Sequence, residues 1–173
     1  MAADTAKIIL VVDDEEDIRN YLSLALTDAG FTVIMAANGD EAMDQMKKRR
    51  PDLISLDLVM PKKSGIKFYR ELTRKKEWAD IPILIVTGHA RDDLGRADLK
   101  ELTMSGPGIY LEKPVKPHNY IAAIKSLLNM VTTPDEKEMA EDVAIQNELK
   151  NLIDNADPTT LRALKDLIKK RME

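Results

Sequence analysis

The sequence predicts an α/β fold, a doubly wound five-stranded parallel sheet followed by a C-terminal α-helical hairpin. Three observations carry this. Short β-branched runs alternate five times with segments of helical period, the pattern of parallel strands joined by crossover helices. The runs, of which Ile8-Ile9-Leu10-Val11-Val12 is the first, are continuously apolar, as strands covered on both faces are. Residues 132–173 keep helical period and contain no strand-like run.

The elements follow in order. Ile8–Val12 is the first strand, and the helix after it carries Ile18, Leu22, Leu26 and Ala29 on one stripe before Gly30 stops it. Residues 31–35 form the second strand. Asn38 caps the next helix, with Glu41 in the capping-box position. Pro51 punctuates, and Leu53–Leu56 form a third strand ending at Asp57. A loop with Pro61 and Gly65 leads to a helix bearing Ile66, Tyr69 and Leu72. Residues 82–86 form the fourth strand, ending at Thr87, and residues 92–104 a fourth helix interrupted by Gly95. Gly106-Pro107-Gly108 turns the chain into a fifth strand, residues 109–112, and Pro117 opens a helix through Leu127 and Leu128. Right-handed crossovers leave the doubly wound arrangement as the natural outcome, and the flavodoxin-like strand order 2-1-3-4-5 is expected for it.

The chain divides accordingly into a sheet domain, residues 1–131, and a helical extension, residues 132–173. Thr133-Pro134-Asp135-Glu136 is a helix start with N-cap, Pro at N1 and an acid at N3. Met139, Val143, Ile145, Leu149, Leu152 and Ile153 fall on one half of that helix. Asp157-Pro158 opens another, with Leu161, Leu164, Leu167 and Ile168 on one face. Short helices are marginal alone in water, so both stripes need cover from each other and from the sheet domain or a second subunit. An interaction or dimerisation element is expected, since the extension is acidic and too short for an enzyme.

Composition narrows the function classes. The 173 residues hold 26 Lys+Arg and 30 Asp+Glu, a net charge of −4, which argues against a nucleic-acid binder. Zero cysteines exclude a disulfide framework, a thiol nucleophile and a cysteine-held metal. His89 and His118 are too few for a multi-histidine site. No apolar run exceeds five residues, so a cytoplasmic protein with no membrane span and no signal peptide is expected.

The chemistry-bearing residues sit at strand ends. Asp13 and Asp14 follow the first strand, Asp57 the third, Thr87 closes the fourth, and Lys113 follows the fifth. Open α/β sheets bind ligands beyond the carboxyl ends of their strands, where the strand order reverses. In order 2-1-3-4-5 the three aspartates converge there, and three close carboxylates repel unless a cation is present. Oxygen ligands without Cys or His favour Mg²⁺. Lys113 and the Thr87 hydroxyl facing the same crevice suit an incoming phosphoryl group.

Asp13-Asp14, Asp57-Leu-Val-Met-Pro61 with Gly65, Thr87-Gly88 and Tyr110-Leu-Glu-Lys113-Pro114, in this order, resemble the receiver domain of two-component response regulators over residues 6–131. The resemblance implies that Asp57 is the phosphoacceptor, served by a sensor histidine kinase or phosphotransfer protein. It implies Mg²⁺ held by Asp14, Asp57 and the Val59 carbonyl, with Asp13 acting chiefly through water. Lys113 and Thr87 would bind phosphoryl oxygens, Thr87 and Tyr110 would form the switch, and Val59 and His89 would tune phosphoryl loss. It also implies a cis Lys113–Pro114 peptide. The partner-reading surface would be the fourth helix, the fifth strand and the helix opened by Pro117, used for a homodimer or a downstream protein, as the C-terminal helices could be. The 26 positions from Thr87 to Lys113 run longer than the family pattern. Such a domain assists its own phosphorylation and dephosphorylation without being a turnover enzyme.

Two rivals come from other classes. A Mg²⁺-dependent aspartyl-phosphate phosphatase of the haloacid-dehalogenase type places Asp-x-Asp on strand one, whereas strand one here ends in Asp13-Asp14-Glu15. A flavin binder of the same sheet order needs a Ser/Thr/Gly phosphate loop at that point, where the acids would repel the flavin phosphate.

Overall fold

Five apolar runs pair into one parallel sheet: β1 (Ile8–Val12), β2 (Thr32–Ala36), β3 (Leu53–Leu56), β4 (Ile83–Thr87) and β5 (Gly108–Glu112), in spatial order β2-β1-β3-β4-β5. The computed structural model describes residues 6–60, 65–88, 108–130 and 133–172. Around the sheet lie α1 (Glu16–Asp28), α2 (Gly39–Lys48), α3 (Gly65–Arg74) and α4 (Pro117–Leu127), followed by α5 (Pro134–Asn155) and α6 (Pro158–Met172). The helix expected over residues 92–104 lies outside the described residues, as do His89 and Pro61.

Side chains alternate across a strand, so each continuous apolar run feeds two cores. Leu10 and Val12 of β1 join Ile54, Leu56, Phe68 and Leu72 on one face. Ile9 and Val11 join Leu26, Leu84, Tyr120 and Ile124 on the other. This double burial is why the strands read as unbroken hydrophobic stretches.

Local signals set the helix ends. Gly30 takes φ +88°, and the N–H groups of Gly30 and Phe31 donate to the carbonyls of Thr27 and Leu26 at 3.0 Å each. That turn claims Phe31, so β2 starts at Thr32, one residue later than the apolar run suggests. β4 likewise shifts by one residue, and β5 gains Gly108 through its pairing with Ile83. Asn38 accepts from the N–H groups of Asp40 and Glu41, while the Glu41 carboxylate reaches past the cap to the Ala37 N–H at 2.9 Å. The expected capping box at Thr133 and Glu136 is complete. The Lys113–Pro114 peptide is cis, as expected.

The extension is treated unevenly. Val143 of α5 is 4% exposed and belongs to the core that contains Leu84, Leu111 and Tyr120. A Lys125–Glu136 ion pair ties α5 to α4. Met139 is half-buried, and the rest of the apolar stripe, Ile145, Leu149, Leu152 and Ile153, is exposed. Past the Ala156–Asp157 link, every α6 residue from 158 to 171 is exposed. Among the described residues no helix is long and apolar enough to cross a membrane.

Candidate functional site

The site begins with strand register. Val12 pairs with Leu56, so the next residues, Asp13 and Asp57, leave adjacent strands side by side. Backbone bonds hold both: Asp57 N–H donates to the Val12 carbonyl at 2.9 Å, and Asp13 N–H to the Ala36 carbonyl at 3.2 Å. On the other flank Thr87 pairs with Glu112, which sets Lys113 one residue beyond the sheet. The crevice is therefore assembled from the ends of β1, β3 and β5.

Lys113 reaches across it. Its Nζ lies 2.7 Å from Asp13 Oδ2 and 3.0 Å from Asp57 Oδ2, with Glu15 Oε1 at 3.2 Å. Asp13 and Asp57 are buried, at 2% and 4% exposure. Asp57 Oδ1 accepts from the Val59 N–H at 3.0 Å, and Asp13 Oδ1 from the Glu15 N–H at 2.9 Å. Burial pushes the Asp13 carboxyl above the ordinary carboxylate range, against the pull of Lys113 and the Glu15 N–H. Burial also disfavours the Lys113 ammonium, but bonding to Asp13 and the charge of Asp57 outweigh it and raise the lysine above its usual value.

Asp14 completes the acidic set. Carboxylate oxygens of Asp13, Asp14 and Asp57 lie within 4.8 Å of one another, and this is the acidic group close enough to share an ion among the described residues. The donors are all hard oxygens, with no thiolate or imidazole among them. That set fits Mg²⁺, which is bound through a few carboxylates and retains water. Three carboxylates facing one ammonium also leave room for added positive charge.

Other expected residues take definite places. Val59 lies two residues after Asp57, and Tyr110 is half-buried on the core face that holds Leu10 and Leu56. The Thr87 backbone closes β4 beside β5, while its side chain lies outside the described residues. His118 is exposed in the first turn of α4.

Glu15 and Arg19 escape sequence reasoning as contributors to the site, and so does the packing role of Gly65, a residue that the motif already names. Glu15 adds a carboxylate to Lys113. Arg19 Nη1 donates to the carbonyls of Asp13 at 2.8 Å and Asp14 at 3.0 Å, clamping the loop that presents both acids. Its only sequence signal is a basic residue one turn into the helix after the acidic pair. A Cβ at Gly65 would sit 2.1 Å from the Asp57 carbonyl oxygen and 2.7 Å from Leu58 Cα, and the Gly65 N–H donates to the Leu58 carbonyl at 3.1 Å. Only glycine permits α3 to start against the strand end that carries Asp57.

A parallel sheet in order 2-1-3-4-5 with an acidic triad opposite a lysine at its carboxyl edge makes this a doubly wound α/β domain with its candidate site at the strand ends. The chain belongs to the response regulator receiver domain family, whose model matches residues 9–125. Among its relatives is the phosphate regulon transcriptional regulatory protein PhoB of Pseudomonas aeruginosa, 36% identical over 137 residues, which cover 79% of this chain and 58% of the relative. PhoB of Escherichia coli is 32% identical over 136 residues, again 79% of this chain and 58% of the relative. The chain thus spans little more than half the length of these curated relatives. Chemotaxis protein CheY4 of Vibrio cholerae superposes with a TM-score of 0.63 at 28% identity, over 71% of this chain and 99% of CheY4. The signal receiver domain of a histidine kinase from Syntrophus aciditrophicus gives 0.63 at 27% identity, over 75% and 96%.

Proposed function

We propose that residues 1–131 act as a phosphoacceptor receiver that takes a phosphoryl group on Asp57 from a sensor histidine kinase or phosphotransfer protein, and that residues 132–173 are a helical extension of it. The observation that carries this reading is the Asp57 carboxylate, buried at the end of β3, 3.0 Å from the Lys113 ammonium and beside Asp13 and Asp14. An Asp57 oxygen bonds to phosphorus while the P–N bond of a phosphohistidine breaks. The electron pair leaves with the imidazole nitrogen, which takes up a proton. Later hydrolysis of the acyl phosphate returns the carboxylate and inorganic phosphate.

The chain's own groups supply positioning and charge. Asp14, Asp57 and the Val59 carbonyl would hold Mg²⁺, with Asp13 contributing chiefly through water. When bound, the ion neutralises charge on the phosphoryl oxygens. Lys113 moves from the carboxylates to the phosphoryl group, and the Val59 N–H keeps the Asp57 carboxyl oriented. The added charge of about −1.5 to −2 at pH 7 draws the Thr87 hydroxyl inward and shifts Tyr110. The surface of β5 and α4 then reports the state, part of it already covered by α5.

A small acylphosphate donor with Mg²⁺ should add one phosphoryl group to the chain, read by intact mass. Asp57→Asn or removal of Mg²⁺ by a chelator should abolish the gain. Stoichiometric labelling of the Asp57→Asn variant would refute the assignment, and turnover of a phosphomonoester would replace it with a phosphatase.

A further inference from the structure

The two C-terminal helices carry apolar seams that no described part of the chain covers. In α5, Ile145, Leu149 and Leu152 are spaced four and three apart and are 52%, 52% and 59% exposed. In α6, Leu161, Leu164 and Ile168 are spaced three and four apart and are 36%, 40% and 56% exposed. Alternating three and four is the seam spacing of helices packed knobs-into-holes. A 15-residue helix such as α6 is marginal in water without such packing.

The seams also differ in charge. The α5 segment holds seven acids and two bases, and the α6 segment five bases and one acid. The charges flank the seams directly. Exposed Glu141 and Glu148 border the α5 stripe, and exposed Lys165 borders the α6 stripe, in the positions where opposite charges select partner helices. Each helix is therefore the complement of the other. Within one chain they are not used that way: Ala156 is extended, with φ −80° and ψ 140°, and α6 stays exposed along its described length.

We infer that α5 and α6 form a reciprocal dimerisation element whose occupant is a second copy of this chain. The α6 helix of one copy packs on the α5 seam of the other, and the same contact recurs about a two-fold axis. A second copy carries both complementary halves, so the contact closes on itself and leaves no open end. The N-terminal half of α5, anchored by Val143 and the Lys125–Glu136 pair, fixes the seam to the receiver. The inference does not depend on phosphorylation of Asp57.

The test is the solution molar mass of the full chain by light scattering or sedimentation. The wild type should show twice the 19.5 kDa chain mass, and Leu149→Asp or Leu164→Asp should each halve it. Mixing the two variants in equal amounts should restore part of the dimer, because one of its two α5–α6 seams is then intact. That recovery separates a lost seam from lost folding. Glu148→Lys should weaken the dimer and the Glu148→Lys, Lys165→Glu double variant should regain it. A single-chain mass for the wild type at every soluble concentration would overturn the inference. So would an undiminished mass for Leu149→Asp, or no recovery on mixing.

Discussion

Replacing Lys113 by methionine keeps most of the stem and removes only the ammonium. In the wild type that ammonium lies 2.7 Å from Asp13 and 3.0 Å from Asp57, both carboxylates buried and within reach of Asp14. Removing one partner of a buried ion pair costs about 3–5 kcal/mol, since it strands the remaining charge. Lys113 itself retains 14% side-chain exposure, and the crevice opens to water at Asp14, so the low end, about 3 kcal/mol, applies. For a chain of this length, that lowers the melting temperature by roughly 6–12 °C. Urea unfolding without divalent cation should show the deficit as a lower midpoint at unchanged slope. Mg²⁺ should then raise the variant's own midpoint, because a ligand bound only by the native state adds about 2.7 kcal/mol at a hundredfold excess over its dissociation constant. A variant as stable as the wild type without cation would refute the burial argument. A variant midpoint indifferent to Mg²⁺ would refute the metal assignment.

Two further outcomes test how the site and the extension are built. Gly65→Ala forces a methyl to within 2.1 Å of the Asp57 carbonyl oxygen; it should cost about 1–3 kcal/mol, the usual penalty of overpacking. It should also slow acylphosphate labelling, and unchanged stability and labelling would show that the loop yields freely. Val143→Ala removes two methyl groups from the core beneath α5 and should cost about 1.5–2 kcal/mol, read by urea midpoint. Faster amide exchange confined to α5 would accompany it, and no loss would mean that α5 is not docked.

How much was legible beforehand depended on the range of the interaction. Strand runs, the Asn38 and Thr133 caps and the stop at Gly30 depend on residues within a few positions of one another, so the amino-acid order alone determined them. The acidic pair, Asp57 and Lys113 were also readable, because each follows a buried strand and the parallel order places strand ends together. Register was not. Whether β2 begins at Phe31 or Thr32 was decided by the Phe31 N–H bonding back to Leu26 and by pairing with β1. The clamp of Arg19 on the Asp13 and Asp14 carbonyls and the approach of Gly65 to Asp57 needed the folded backbone, since neither has a periodic signature. The same limit governed the extension. Val143 and Leu149 share one apolar stripe in sequence, but periodicity reports a need for burial and carries no information on where the partner surface ends. The tertiary structure gave Val143 a place in the core and left Leu149 outside it, because the surface of β5 and α4 extends under only the first half of α5.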